Sequence, residues 1–233
     1  MTTREIEAKS LLSPVKQPDR WFGLKYSMNL YRGCQHRCIY CDSRSQCYGI
    51  EDFDDEVLIK ANAVELLRTE LARKRIKGLI GTGSMNDPYM PIERTVRLTG
   101  RALEVIAEFG FPVHILTKSD LVLRDLDTLI AINRTRAVVS FTITTADDDL
   151  ARQVEPGAPS PSARFRAMAT LAERGIPTGV LLMPVLPFLE DSPENIAEIV
   201  SRAHACGASH VLPAFGMTLR DRQRAHYLSL IHI

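Results

Sequence analysis

The chain has 233 residues, 45% of them apolar and 24% charged, with 29 Lys and Arg against 28 Asp and Glu for a net charge of +1. A chain of this length buries one sizeable core without disulfide staples, and its composition excludes collagen-like, mucin-like and disordered classes. The near-neutral charge argues against nucleic-acid binding through a broad basic surface, leaving a local groove as the only such route.

Residues 1–20 read as an N-terminal extension that carries acids at Glu5 and Glu7 and no apolar signal stretch, so a cytoplasmic location is expected. A core domain is expected over 21–227. Its first strand falls at about 25–32, where Tyr26, Met28 and Leu30 alternate with Ser27 and Asn29. A loop follows to about Asp55. The spacing then predicts a helix over 57–75, with Leu66, Leu67 and Leu71 on one side and Arg68, Glu70, Arg73 and Lys74 on the other.

Strand and helix alternate thereafter: 78–82 with 92–109, then 113–117 with 120–133, then 137–144 with 162–174. Next come 177–183 with 193–206, and a last strand at 210–213. The longest nearly apolar run, 179–189, is broken by Pro184 and Pro187 and falls short of the ~20 residues that cross a bilayer, so no membrane segment is expected. Six βα units fit a partial (β/α)6 barrel of TIM type or a doubly wound sheet, and polar residues spread over several strand ends favour the barrel. After the sixth strand, 216–227 is short and strongly basic, and 228–233 is nearly all apolar without a helix cap. Residues 228–233 are therefore expected to be foreign to the fold, with the barrel truncated at its C-terminal end.

Five cysteines make a disulfide framework an unsuitable reading, because the count is odd. Cys34, Cys38 and Cys41 stand four and three residues apart, close enough for one loop to wrap a metal centre. Clustered thiolates hold iron–sulfur clusters, and three of them leave one iron of a [4Fe–4S] cluster open. The alternative is a zinc site completed by Cys47 or His36, although structural zinc prefers two separated pairs of ligands. Cys47 and Cys206 read as packing residues. Arg32, His36, Arg37 and Arg44 supply positive charge beside the thiols.

The pattern Cys-x-x-x-Cys-x-aromatic-Cys, with Tyr40 as the aromatic, resembles the signature of the radical S-adenosylmethionine (SAM) superfamily. That resemblance implies a [4Fe–4S] cluster on Cys34, Cys38 and Cys41 and SAM on the open iron. It also implies reductive cleavage of SAM to a 5′-deoxyadenosyl radical that abstracts hydrogen from a substrate. The stretch Gly81-Thr-Gly-Ser84 with Asp87-Pro-Tyr89-Met-Pro91-Ile-Glu93 is similar to the spore photoproduct lyase-like group. By that likeness Tyr40, Gly83 and Ser84 would adjoin SAM, Lys118 would meet its carboxylate, and Ser140 and Thr142 its ribose.

Arg152 and Glu155 would contact cofactor or substrate, and the backbone at Met183 to Pro187 the adenine. A reductant of flavodoxin or ferredoxin type is implied as partner. The hydrogen donor and DNA-binding portion of the lyase itself have no counterpart in these motifs, so its substrate does not follow from them. A non-catalytic zinc or electron-transfer module is the competing function, and it needs neither Lys118 nor Ser140 around a cavity.

Overall fold

The computed structural model describes residues 1–16 and 21–230. The N-terminal stretch carries two strands, β1 (Thr2–Ile6) and β2 (Leu12–Pro14). The expected first strand divides in two. β3 (Tyr26–Met28) enters the main sheet, whereas β4 (Tyr31–Arg32) turns away to pair antiparallel with β5 (Glu56–Lys60). β5 takes the place of the first turn of the expected long helix, because Val57 and Ile59 are buried while Glu56, Leu58 and Lys60 between them are half-buried, a period of two. β1 lies parallel on its other side, giving a three-stranded sheet. Helix α1 (Ala63–Ala72) follows and buries Ala63, Leu67 and Leu71.

From there the elements are β6 (Ile80–Thr82), α2 (Glu93–Val96), α3 (Leu98–Phe109), β7 (Val113–Thr117) and α4 (Leu126–Asn133). They continue with β8 (Ala137–Thr142), α5 (Asp148–Val154), α6 (Pro161–Glu173), β9 (Thr178–Val185), α7 (Pro193–Ala205), β10 (His210–Phe215) and α8 (Asp221–Leu230). The helix expected over 92–109 breaks at Arg97, whose φ of 52° is left-handed and ends α2. The first half of the helix expected over 120–133 is a 3-10 turn, Asp120–Asp125. α6 and α7 start as their sequences dictate, with Ser160 and Ser192 capping the N-termini and a proline in the first turn of each.

The main sheet runs β10-β9-β8-β7-β6-β3-β2, parallel throughout except for β2 at one edge. Its parallel strands sit side by side in chain order. A doubly wound sheet reverses that order at a switch point, so this one is the wall of a partial barrel, as expected. β8 at its centre is buried at every position. The core gathers Val113, Ile115, Val139, Phe141, Val180 and Leu182 from the strands with Leu103, Ile106 and Met168 from the helices.

Residues 228–230 continue α8 with their side chains exposed, while 231–233 lie outside the described residues. α8 packs on the 3-10 turn Asp42–Arg44 of the cysteine loop, which leaves β10 as an edge strand with Phe215 74% exposed. No helix among the described residues is long and apolar enough to cross a membrane.

Candidate functional site

The loop after β4 carries Cys34 and Cys38 buried and Cys41 half-buried, and all three face one cavity of about 470 Å³. The same cavity is lined by Gly83 and Ser84 beyond β6, Thr117 and Lys118 at the end of β7, Thr142 at the end of β8 and Met183 in β9. It thus opens at the C-terminal ends of the parallel strands, where barrel folds assemble their sites.

Burial pushes all three thiols up, Cys34 to about 12, so each is poor at ionising by itself. Metal binding would supply the compensating positive charge. Among the described residues no group of three or more His, Cys, Asp or Glu side chains is arranged to hold a metal ion as it stands. Three soft sulfur donors lining one cavity are the ligand type that iron–sulfur clusters take.

The loop is held from several directions. Arg44, 3% exposed, donates to the carbonyl of Cys38 at 3.2 Å and pairs with Asp54 at 2.6 Å, with its guanidinium over the Phe53 ring. Ile39 N donates to the Val154 carbonyl at 2.9 Å, and Gly157 N to the His36 carbonyl at 2.9 Å. A Cβ on Gly157 would stand 2.1 Å from the Gln35 carbonyl oxygen, so only glycine lets the loop after α5 lie this close. Arg32 donates to the carbonyls of Tyr48 and Gly49, and Arg37 is exposed.

Two buried carboxylates organise the cavity wall. Asp87 accepts from Thr117 Oγ1 at 2.7 Å, Lys118 N at 2.6 Å and Tyr89 N at 2.8 Å, and lies 3.3 Å from His36 Nδ1. Burial would raise its pKa, but His36 and these donors outweigh it and hold the carboxyl down at about 2. His36 is 1% exposed and lines the cavity, and its Nε2 is buried with no hydrogen-bond partner among the described residues.

Glu155 is the second. Its Oε2 lies 2.6 Å from Arg164 Nη1 and its Oε1 3.8 Å from Lys118 Nζ, and it accepts a hydrogen bond from Tyr40 OH. Burial opposes its charge, but Arg164 and Lys118 keep the carboxyl below the ordinary range. Burial likewise works against the Lys118 cation; Cys38 when ionised and Glu155 act the other way, and the balance raises the pKa of Lys118. Its ammonium stands 5.6 Å from the centre of the Tyr40 ring. Glu155 therefore aims both Tyr40 and Lys118.

Of the residues singled out in the sequence, Tyr40, Gly83, Ser84, Lys118, Thr142 and the three cysteines come together in this cavity. Gly83 is required there: its φ is 99°, and a Cβ would stand 2.0 Å from the Leu116 carbonyl oxygen. Ser140 does not belong to the lining. It is fully buried, and its hydroxyl lies 2.8 Å from His114 Nε2 and 3.1 Å from His210 Nε2, so the hydroxyl serves an interior layer of the barrel. Thr144 donates to Glu190 at 2.7 Å, and Arg152 is a surface residue paired with Asp149.

Sequence reasoning assigns no role to Arg164, whose partner Glu155 lies nine residues away across the turn between α5 and α6, or to the contacts of α8, which act across more than a hundred residues of chain. Asp87 lies inside a motif whose spacing shows nothing of its buried position.

A profile of the radical SAM superfamily matches residues 28–200. An uncharacterized protein of Mycobacterium tuberculosis is 32% identical over 98% of this chain and 68% of its own length. Another, of Methanocaldococcus jannaschii, is 37% identical over 83% of this chain and 71% of its own. Among solved structures, spore photoproduct lyase complexed with dinucleoside spore photoproduct superposes with a TM-score of 0.72 at 16% identity, over 97% of this chain. This chain spans 65% of the length of that lyase chain.

Proposed function

This chain belongs to the radical SAM superfamily, whose enzymes work with a [4Fe–4S] cluster and SAM, and we propose on that footing that Cys34, Cys38 and Cys41 ligate the cluster. The observation that carries the reading is the convergence of three thiols, Lys118 and Thr142 on one cavity at the strand ends. When bound, the reduced cluster supplies the electron that cleaves SAM and yields a 5′-deoxyadenosyl radical for hydrogen abstraction.

The chain's own part is placement. Lys118, held by Glu155, offers a cation to the carboxylate of SAM, and Gly83 and Ser84 bring backbone close to its amino group. Thr142 offers a hydroxyl to its ribose, and the Tyr40 ring closes one side. Leu181, Met183 and Phe22 supply apolar wall that keeps water from the reacting atoms.

The reductant is a small electron carrier of flavodoxin or ferredoxin type. For the substrate we favour a nucleobase-containing molecule, since the lyase of like fold is complexed with a dinucleoside photoproduct. The net charge of +1 then assigns recognition to a local groove. A non-catalytic zinc or electron-transfer module would leave the aimed lysine and the positive-φ glycine without purpose.

Anaerobic reconstitution, followed by iron and sulfide counts and an assay for 5′-deoxyadenosine after reduction, tests the proposal. Alanine at Cys34, Cys38 or Cys41 is expected to abolish the cluster, and Cys47→Ala to leave it. Lys118→Met removes a charge-assisted contact worth ~1.5–3 kcal/mol, so SAM affinity of the cluster-loaded protein should fall roughly 10- to 150-fold by calorimetry. Stoichiometric zinc, or unchanged SAM affinity in Lys118→Met, overturns the corresponding assignment.

A further inference from the structure

We propose that α8, acting through Arg222 with Asp221 and Gln223, is the positioning element that holds the cysteine loop closed around its thiols. The inference rests on the reading of those thiols as cluster ligands. Arg222 Nε donates to the carbonyl of Arg44 at 2.5 Å, Nη1 to that of Glu51 at 2.7 Å, and Nη2 to that of Ile50. Gln223, fully buried, donates to the Tyr40 carbonyl at 3.3 Å. The Asp221 carboxylate accepts from Ser45 Oγ at 2.9 Å and from Gln46 N at 3.2 Å.

The loop has a structural need for such a partner. Its regular parts are two 3-10 turns, Asp42–Arg44 and Gln46–Tyr48, each only three residues long. Its turn bonds end on the carbonyls of Cys38, Cys41, Asp42, Ser45, Gln46 and Asp52. The helix takes four others: those of Tyr40, Arg44, Ile50 and Glu51. Three of these go to one guanidinium, whose planar fork of N–H groups suits several acceptors in fixed directions. The helix thus pairs carbonyls that the loop's own turns do not use.

The apolar face of the helix has the same target. Tyr227 is buried in a small cluster with Cys38, Ile39 and Tyr40, apart from the main core. α8 is exposed at Arg224, Leu228 and Leu230. The segment leading into it lines the cavity through Met217 and Thr218, and Thr218 donates to Asp42. The helix therefore secures the loop without being part of the barrel wall, and its loss should open the loop while leaving the sheet intact.

Amide hydrogen exchange on the metal-free chain, followed by iron release from the reconstituted chain to a ferrous chelator under anaerobic conditions, tests this on wild type, Arg222→Ala and Arg222→Lys. In Arg222→Ala, exchange in residues 40–51 should rise at least tenfold while β7 stays within twofold of wild type. Iron release should quicken at least tenfold. Arg222→Lys, which keeps the charge but not the fork, should fall between. Wild-type exchange and release in Arg222→Ala, or equal acceleration in β7, overturns the proposal. A wild-type chain that holds no iron–sulfur cluster overturns the ligand reading instead, and the exchange arm still decides the role of the helix.

Discussion

Glu190 is fully buried, with Thr144 Oγ1 donating to its Oε1 at 2.7 Å and the backbone N–H of Leu186 facing its Oε2 at 3.3 Å. Among the described residues no cation forms an ion pair with it, and burial raises its pKa to about 8. The folded chain therefore binds a proton here that the unfolded chain releases near its ordinary pKa of 4.5. Folding stability from this group is fully present below pH 4.5 and is lost as pH rises through about 8. Glu190→Gln, which cannot ionise, should lose that slope whatever its absolute stability. Thermal midpoints at several pH values between 5 and 9 check it; equal slopes in both proteins would show Glu190 charged throughout. Its contrast with Glu155 is instructive: both are buried, but Glu155 has Arg164 at 2.6 Å and remains an anion able to aim Lys118.

At the joint between β6 and the loop that follows it, a side chain would meet the Leu116 carbonyl oxygen of β7 at 2.0 Å, in a backbone conformation with φ of 99°. Gly83→Ala should therefore separate the strand ends that frame the cavity. Overpacking and strain of this kind cost about 2 kcal/mol or more, which lowers Tm by roughly 4–8 °C in a chain of this size. Calorimetry of the apo protein decides, and a Tm within a degree of wild type would show that the loop yields freely.

Such a joint is invisible to pattern reading, whereas β7 itself was legible residue for residue, because five consecutive residues bounded by a proline and a serine cap carry their own signal. β5 was misread as helix since Leu66, Leu67 and Leu71 impose a helical period that masks the alternation of Val57 and Ile59 just before it. The three thiols were legible because their grouping is local. The retreat of Ser140 to two histidines and the grip of α8 were not, because each is made by tertiary folding between residues far apart in sequence, and the Glu155–Arg164 pair was not, because nine residues of turn and helix start without a regular period separate its partners.

Among the described residues the main sheet ends at β10, where Phe215 is 74% exposed, and Phe188 in the loop after β9 is 93% exposed. An open edge strand flanked by exposed aromatics is a template for pairing with another chain. Self-association that grows with concentration is expected, and Phe215→Lys should reduce it while leaving Tm within about 2 °C, since surface substitutions shift stability by ~0.5 kcal/mol or less. Light scattering over a concentration series would check this, and an unchanged profile would place the contact elsewhere.

The grip of α8 on the cysteine loop has a consequence in time. Arg44 and Arg222 are 178 residues apart, so the loop emerges from the ribosome long before the residue that closes it. At ~5–20 residues per second that interval is roughly 9–36 s. For the first part of that interval the three thiols belong to a nascent chain with neither Gly157 nor Tyr227 to shelter them, and for the rest Tyr227 is still missing. On the proposed ligand reading, assembly of the cluster would follow synthesis of α8, and Cys34, Cys38 and Cys41 would be open to oxidation until then.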